Sequence, residues 1–175
     1  TLPQTKTNID GNILTLPEFL PQVYPLNKII DVDYYLPGCP PPTELILKML
    51  TTFLQSNFPP EGASFAHERT LCELCDRNKS KPERLSIKNF KRIYEVEADP
   101  DKCFLEQGII CFGPATRGGC GESCIKINLP CRGCFGPAEK AYDIGAKYLS
   151  AIASAIDVDT EEELEKIVSN LRDII

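Results

Sequence analysis

Along the first 26 positions, polar, apolar and proline residues alternate without a sustained period. This predicts a surface segment with a short helix near 16–23. The pattern changes at Ile29. Positions 29–36 are rich in β-branched and aromatic residues and predict a strand. The strand runs into Pro37-Gly38-Cys39-Pro40-Pro41-Pro42. After it, Leu45, Ile46, Met49, Leu50 and Phe53 recur at helical spacing, with Thr43 as the expected N-cap. Strand, tight turn and helix form an α/β unit, and such sheets gather functional groups at the carboxyl ends of their strands. Cys39 stands at that end.

The stretch 56–63, SNFPPEGA, reads as a linker. Beyond it the pattern predicts short helices over 71–76 and 86–96, then a long irregular segment to Pro137. Two amphipathic helices follow. The first covers 138–155, with Ala141, Ile144, Ala146, Tyr148, Leu149 and Ile152 as its core stripe. The second covers 159–175, with Asp157 or Asp159 as N-cap and Glu161, Glu162 and Glu163 favouring its N-terminus.

Composition narrows the class. The 175 residues are 42% hydrophobic and 25% charged, values of a globular chain. A net charge of −6 argues against a phosphate-binding surface, which needs a basic excess. No run of about 18 apolar residues offers a transmembrane helix. Thr1-Leu2-Pro3-Gln4 has neither an initiator methionine nor a leader pattern and reads as a chain entered part-way.

The nine cysteines change the picture most. Their number is odd, and with no secretory signal to imply an oxidising compartment, short spacings point to metal rather than disulfides. Cys72/Cys75 and Cys131/Cys134 are C-x-x-C pairs, each able to direct two thiolates to one centre. The simplest partition is sequential: Cys72, Cys75, Cys103 and Cys111 in one site, Cys120, Cys124, Cys131 and Cys134 in another. Cys39 is left over. Spacing alone leaves Cys111 and Cys120 exchangeable. Gly118, Gly119, Gly121 and Gly133 permit close backbone approach to bridging sulfides, and Pro114, Pro130 and Pro137 fix turns. Ile125, Ile127, Leu129 and Phe135 can exclude water. These surroundings favour iron–sulfur clusters, with a structural zinc-binding interaction module as the alternative. A thioredoxin-like role for Cys131 and Cys134 would need a strand-to-helix setting that Pro130 and Pro137 oppose.

YLPGCPP, CELC, CFLEQGIICFGPATRGGC and PCRGCFGP, in that order, resemble the small, electron-transferring subunit of nickel–iron hydrogenases, specifically the cytoplasmic methyl-viologen-reducing type of methanogenic archaea. The resemblance implies an α/β fold. Residues 1–57 would be the C-terminal end of a flavodoxin-like domain, and 58–175 a largely irregular, helix-containing iron–sulfur domain. It implies that Cys39 is one ligand of a proximal 4Fe–4S cluster whose other ligands lie upstream. Cys72, Cys75, Cys103 and Cys111 would hold a distal 4Fe–4S cluster, with Cys72 where many relatives have histidine. Cys120, Cys124, Cys131 and Cys134 would hold a medial 4Fe–4S cluster, with Cys124 completing a set that many relatives leave incomplete. The implied partners are the nickel–iron large subunit, a small delta-type iron–sulfur subunit and heterodisulfide reductase. The implied location is the cytoplasm.

Other residues read more plainly. His67, the only histidine, is expected on a helix surface, and Arg117 and Arg132 as solvated arginines. Tyr34 and Tyr35 are expected to pack a strand.

Overall fold

The protein is described by a computed structural model that covers residues 4–138 and 141–174. It divides into two compact units, Thr1–Asp33 and Tyr34–Ile175.

The first unit contains an antiparallel hairpin of β1 (Lys6–Ile9) and β2 (Asn12–Thr15), in register Ile9 to Asn12. Asp10 and Gly11 both adopt positive φ, and the Gly11 N–H donates to Asn8 Oδ1 at 3.0 Å. Asp-Gly between two short strands is a strong hairpin signal that the periodicity reading missed. The expected helix at 16–23 is absent: Pro17, Pro21 and Pro25 deprive each successive turn of a donor. Only a 3-10 turn forms, over Leu26–Lys28.

In the second unit the expected strand contracts to β3 (Tyr34–Tyr35), paired in parallel with β4 (Ala63–Ser64). Helix α1 (Thr43–Leu54) forms as expected, but Pro42 occupies the N-cap position and Thr43 is the first helical residue. Tyr34, Leu36, Leu45, Met49 and Phe53 pack with Phe65 and Phe135 in one apolar cluster. Residues on both sides of 57/58 thus share a core.

No helix forms over 86–96. Ile87 instead bridges Ile156 and Lys91 bridges Ile109, and the Ile87 N–H donates to the Ala155 carbonyl at 2.8 Å. Burial of Ile87 and Phe90 against the later helices overrides the local helical spacing.

Helix α4 (Ile144–Ala153) is shorter than expected and is capped by Asp143, whose side chain accepts from the Ala146 N–H. Residues 139–140, inside the expected helix, lie outside the described residues. Tyr148 and Ile152 are buried as expected, whereas Ala146 is exposed and Leu149 is 61% exposed. Helix α5 (Glu161–Ile174) takes Thr160 as its cap rather than Asp157 or Asp159. The Glu163 N–H donates to Thr160 Oγ1, and the Glu163 carboxylate accepts from the Asp159 N–H. This reciprocal pair forms because the Thr160 hydroxyl stands three residues before a glutamate.

Between these elements the chain is irregular but hydrogen-bonded. Residues 113–118 run between 69–72 and 136–138. Leu71 N–H donates to the Thr116 carbonyl, Gly118 N–H to Arg69, Arg117 N–H to Gly136 and Ala138 N–H to Ala115. Three non-repetitive segments thereby satisfy one another's backbone groups. No described helix is long and apolar enough to cross a membrane.

Candidate metal centres

Cys72 sits in α2 (Leu71–Leu74), and Cys75 ends it. The helix is held by a capping box: Thr70 Oγ1 accepts from the Glu73 N–H, and the Glu73 carboxylate accepts from the Thr70 N–H at 2.7 Å. A 3-10 turn over Asp76–Lys79 follows directly. The Asn78 N–H in that turn donates to the Cys75 carbonyl at 2.9 Å, and the turn's N–H groups oppose the rise that burial imposes on the Cys75 thiol. The sequence Thr70-Leu71-Cys72-Glu73 carries this cap legibly, yet helical periodicity over so short a run did not expose it.

Cys103 and Cys111 complete the lining of a first cavity, with Cys72 and Cys75. Its free volume is about 20 Å³, partly open to solvent, with Leu71, Phe104, Leu105 and Ile125 among its apolar walls. Cys103 and Cys111 are buried, while Cys72 and Cys75 are half-buried. The Lys81 ammonium lies 3.7 Å from Cys72 Sγ.

A second cavity, of about 370 Å³, is lined by Cys120, Cys124, Cys131 and Cys134, and also by Cys39. Cys124 rides on a single helical turn, α3 (Ser123–Lys126), which is entered through Glu122 at φ 57°. Cys131 is buried; Cys39 and Cys134 are exposed. Leu71 and Ile125, both buried, line both cavities and form a common wall.

Backbone N–H groups two positions on lie near three thiols and oppose the upward effect of burial: Arg77 near Cys75, Gly113 near Cys111 and Gly133 near Cys131. The Gly133 N–H lies 3.4 Å from Cys131 Sγ, with Gly133 at φ +83°, a conformation that disfavours side chains. The Cys131 N–H in turn donates to Cys111 Sγ at 3.4 Å, tying one cavity to the other.

Burial pushes the Cys111 thiol from 9.0 up to about 12, against the lowering effect of its Gly113 and Cys131 donors. Burial likewise raises Cys72, opposed by Lys81, and raises Cys75, Cys131 and Cys134. The thiols also repel one another as charges: Cys72 feels Cys103 and Cys75, and Cys134 feels Cys124, Cys120 and Cys39. Holding all of them as thiolates requires cationic charge inside the cavities.

Arg77 is the functional residue that the sequence reading missed. It is 8% exposed and lines the first cavity. Its guanidinium stacks over Phe104, 4.3 Å from the ring centroid. It donates to the carbonyls of Asp99, Lys102 and Ile125 and, at 2.9 Å, to Asn128 Oδ1. An arginine two residues after a C-x-x-C pair gives no sequence sign of such burial. By contrast, His67 is exposed and lies outside any helix, and Arg132 is exposed. Arg117 is half-buried and donates through Nε to the Pro137 carbonyl.

The donor set suits an iron–sulfur group. Among the described residues, no three His, Cys, Asp or Glu side chains converge on a point as ligands of one ion. A zinc ion would draw four sulfurs to roughly 3.8 Å from one another, given Zn–S of about 2.3 Å. Cluster thiolates bind separate irons and stand further apart, around a body that accepts N–H donors. Four thiols around one cavity, with backbone N–H groups near them, are donors that such a cluster could take.

No protein-family model matches the chain. It is 39% identical over 169 residues to the iron-sulfur subunit of the F420-non-reducing hydrogenase of Archaeoglobus profundus, covering 94% of this chain and 52% of that protein. It is 39% identical over 177 residues to the corresponding F420-non-reducing hydrogenase subunit of Methanothermobacter marburgensis, covering 98% of this chain and 55% of that protein. Against the counterpart from Methanothermus fervidus the identity is 42% over 106 residues, 59% of this chain and 83% of that protein. The chain thus spans about half the length of the first two relatives. The coverage and identity together show that the chain belongs to the family of these F420-non-reducing hydrogenase subunits.

Proposed function

We propose that this chain is the electron-transfer subunit of a cytoplasmic nickel–iron hydrogenase of the methyl-viologen-reducing type. It relays electrons from the hydrogen-activating site of a large subunit to a delta-type iron–sulfur subunit and heterodisulfide reductase. The observation that carries this reading is the placement of Cys72, Cys75, Cys103 and Cys111 around one cavity and of Cys120, Cys124, Cys131 and Cys134, joined by Cys39, around another. Membership of a hydrogenase subunit family supports the same reading.

In this proposal Cys72, Cys75, Cys103 and Cys111 hold a distal 4Fe–4S cluster, and Cys120, Cys124, Cys131 and Cys134 a medial one. Cys39 contributes one ligand to a proximal cluster. Such clusters, when bound, supply one-electron storage at potentials set by charge, hydrogen bonds to sulfur and solvent exposure. The chain's own residues set those terms. The backbone N–H groups of Cys131 and Gly133 would stabilise thiolate sulfur at Cys111 and Cys131. Leu71 and Ile125 keep the space between the two sets apolar. Arg77 and Lys81 offset negative charge at the first set. No side chain here is assigned bond-breaking chemistry on hydrogen.

Iron, acid-labile sulfide and zinc per chain, measured on anaerobically purified protein, test the reading. About eight iron and eight sulfide at the two four-cysteine sets are expected for two cubanes. About seven iron and eight sulfide would make the medial site a three-iron cluster and Cys124 a bystander. About two zinc and no sulfide would overturn the proposal and leave a structural zinc-binding module.

A further inference from the structure

Tyr148 is 3% exposed, and its hydroxyl is the one buried side-chain nitrogen or oxygen atom without a hydrogen-bond partner among the described residues. A buried O–H left without an acceptor destabilises a fold, and natural structures rarely keep one without cause. The ring is held in place by stacking on Phe112, with centroids 4.0 Å apart and planes 16° apart. Phe112 follows Cys111, and its N–H donates to the Cys131 carbonyl at 3.0 Å. The stack sets the phenolic oxygen near the Cys111 backbone N–H and beside Cys111 and Cys131, the two cysteines joined across the cavities, so the oxygen faces a donor while its own proton has no acceptor. A protonated thiol is a poor acceptor, whereas a thiolate accepts an O–H strongly.

We propose that Tyr148 is a positioning residue whose hydroxyl donates to the Cys111 thiolate when that cysteine ligates metal, completing the donor shell around the link between the two sites. This rests on the iron–sulfur reading above. The buried Cys111 sulfur would then accept from both the Cys131 N–H and the Tyr148 hydroxyl. A hydrogen bond to ligand sulfur favours the reduced, more negative state, so its loss lowers the reduction potential.

The test compares wild-type protein, Tyr148→Phe and the neighbouring exposed-position control Leu149→Ala, each purified anaerobically in its hydrogenase complex. Iron and labile sulfide are measured alongside an EPR-monitored redox titration. Tyr148→Phe is expected to keep its iron and sulfide. The potential of the Cys111 site should fall by the equivalent of at least a threefold change in redox ratio, about 28 mV for a one-electron couple. The control should not shift. An exchangeable-proton coupling to that site, present in wild type, should disappear in the phenylalanine variant. Unchanged potential and coupling at full iron content would overturn the inference. Loss of iron from Tyr148→Phe would also overturn it, assigning the hydroxyl to assembly instead. Wild-type protein without iron and sulfide would defeat the proposed function itself, and is distinguishable by composition alone.

Discussion

The backbone N–H of Cys131 points at the sulfur of Cys111 across 3.4 Å, so a member of one cysteine set solvates a member of the other. The two cavities also share Leu71 and Ile125 as wall residues. Perturbation at Cys111 should therefore reach the second site, whereas perturbation at Cys72, which has no such link to the second set, should not. Cys111→Ser is expected to alter the EPR spectrum assigned to Cys120, Cys124, Cys131 and Cys134. Cys72→Ser is expected to leave that spectrum as in wild type.

Truncating the shared wall should cost stability in the range of core deletions. Leu71→Ala is expected to destabilise the chain by about 2–5 kcal/mol. Ile125→Val, which removes one methyl group, is expected to cost about 0.5–1.5 kcal/mol. Chemical denaturation under anaerobic conditions reads both. Equal costs for the two variants would contradict the placement of Leu71 deep in the common wall.

Arg77 joins its own 3-10 turn to residues 99–102 and 125–128 through four donated hydrogen bonds. Arg77→Met keeps length and apolar volume but orphans those acceptors, at about 1–3 kcal/mol for buried groups left unpaired. Arg77→Lys retains charge without the planar fork and should recover only part of the loss. Iron retention should follow the same order: wild type, then lysine, then methionine. A lysine variant less stable than the methionine variant would sink this account.

Thiol burial gives the metal-free chain a defined pH response. Cys111 is raised from 9.0 to about 12 by burial, and Cys72, Cys75, Cys131 and Cys134 are raised in the same direction. A raised thiol keeps its proton in the fold after the unfolded chain has released it. Its stabilising effect is present below about 9 and fades as pH climbs toward 12. The denaturation midpoint of metal-free chain should hold between pH 7 and 8.5 and drop above 9. Metal loading displaces those protons, so it should tighten with rising pH over the lower range. A midpoint that rises above pH 9 would contradict the assignment.

The helices with a clear amphipathic stripe were legible in outline: α1 and α4 bury Leu45, Tyr148 and Ile152 of the expected stripes while leaving Leu50 and Leu149 exposed, and α5 starts beside the expected acidic run. Positions 86–96 were misread because their apolar residues also recur at helical spacing, while tertiary bridges at Ile87 and Lys91 supply the hydrogen bonds a helix would have made. The cysteines were legible as a group from their number and spacing. Which of them share a cavity depends on the path of irregular backbone between 111 and 120, and no periodicity encodes that path. Arg77 and Tyr148 were illegible as site residues for a related reason. Only the fold shows that an arginine after Cys75 is stripped of water, or that a tyrosine in an apolar stripe has no acceptor for its proton.

The reach of Arg77 has a practical corollary for anyone hoping to move one of these centres into another scaffold. A peptide spanning 72–111 would carry all four cysteines of the first cavity yet lack the Ile125 carbonyl and Asn128 side chain that anchor the guanidinium. A peptide spanning 120–134 would lack Leu71, which closes its wall, and the Thr116 hydroxyl beside Cys131. Neither is a transplantable module; the smallest portable unit contains both.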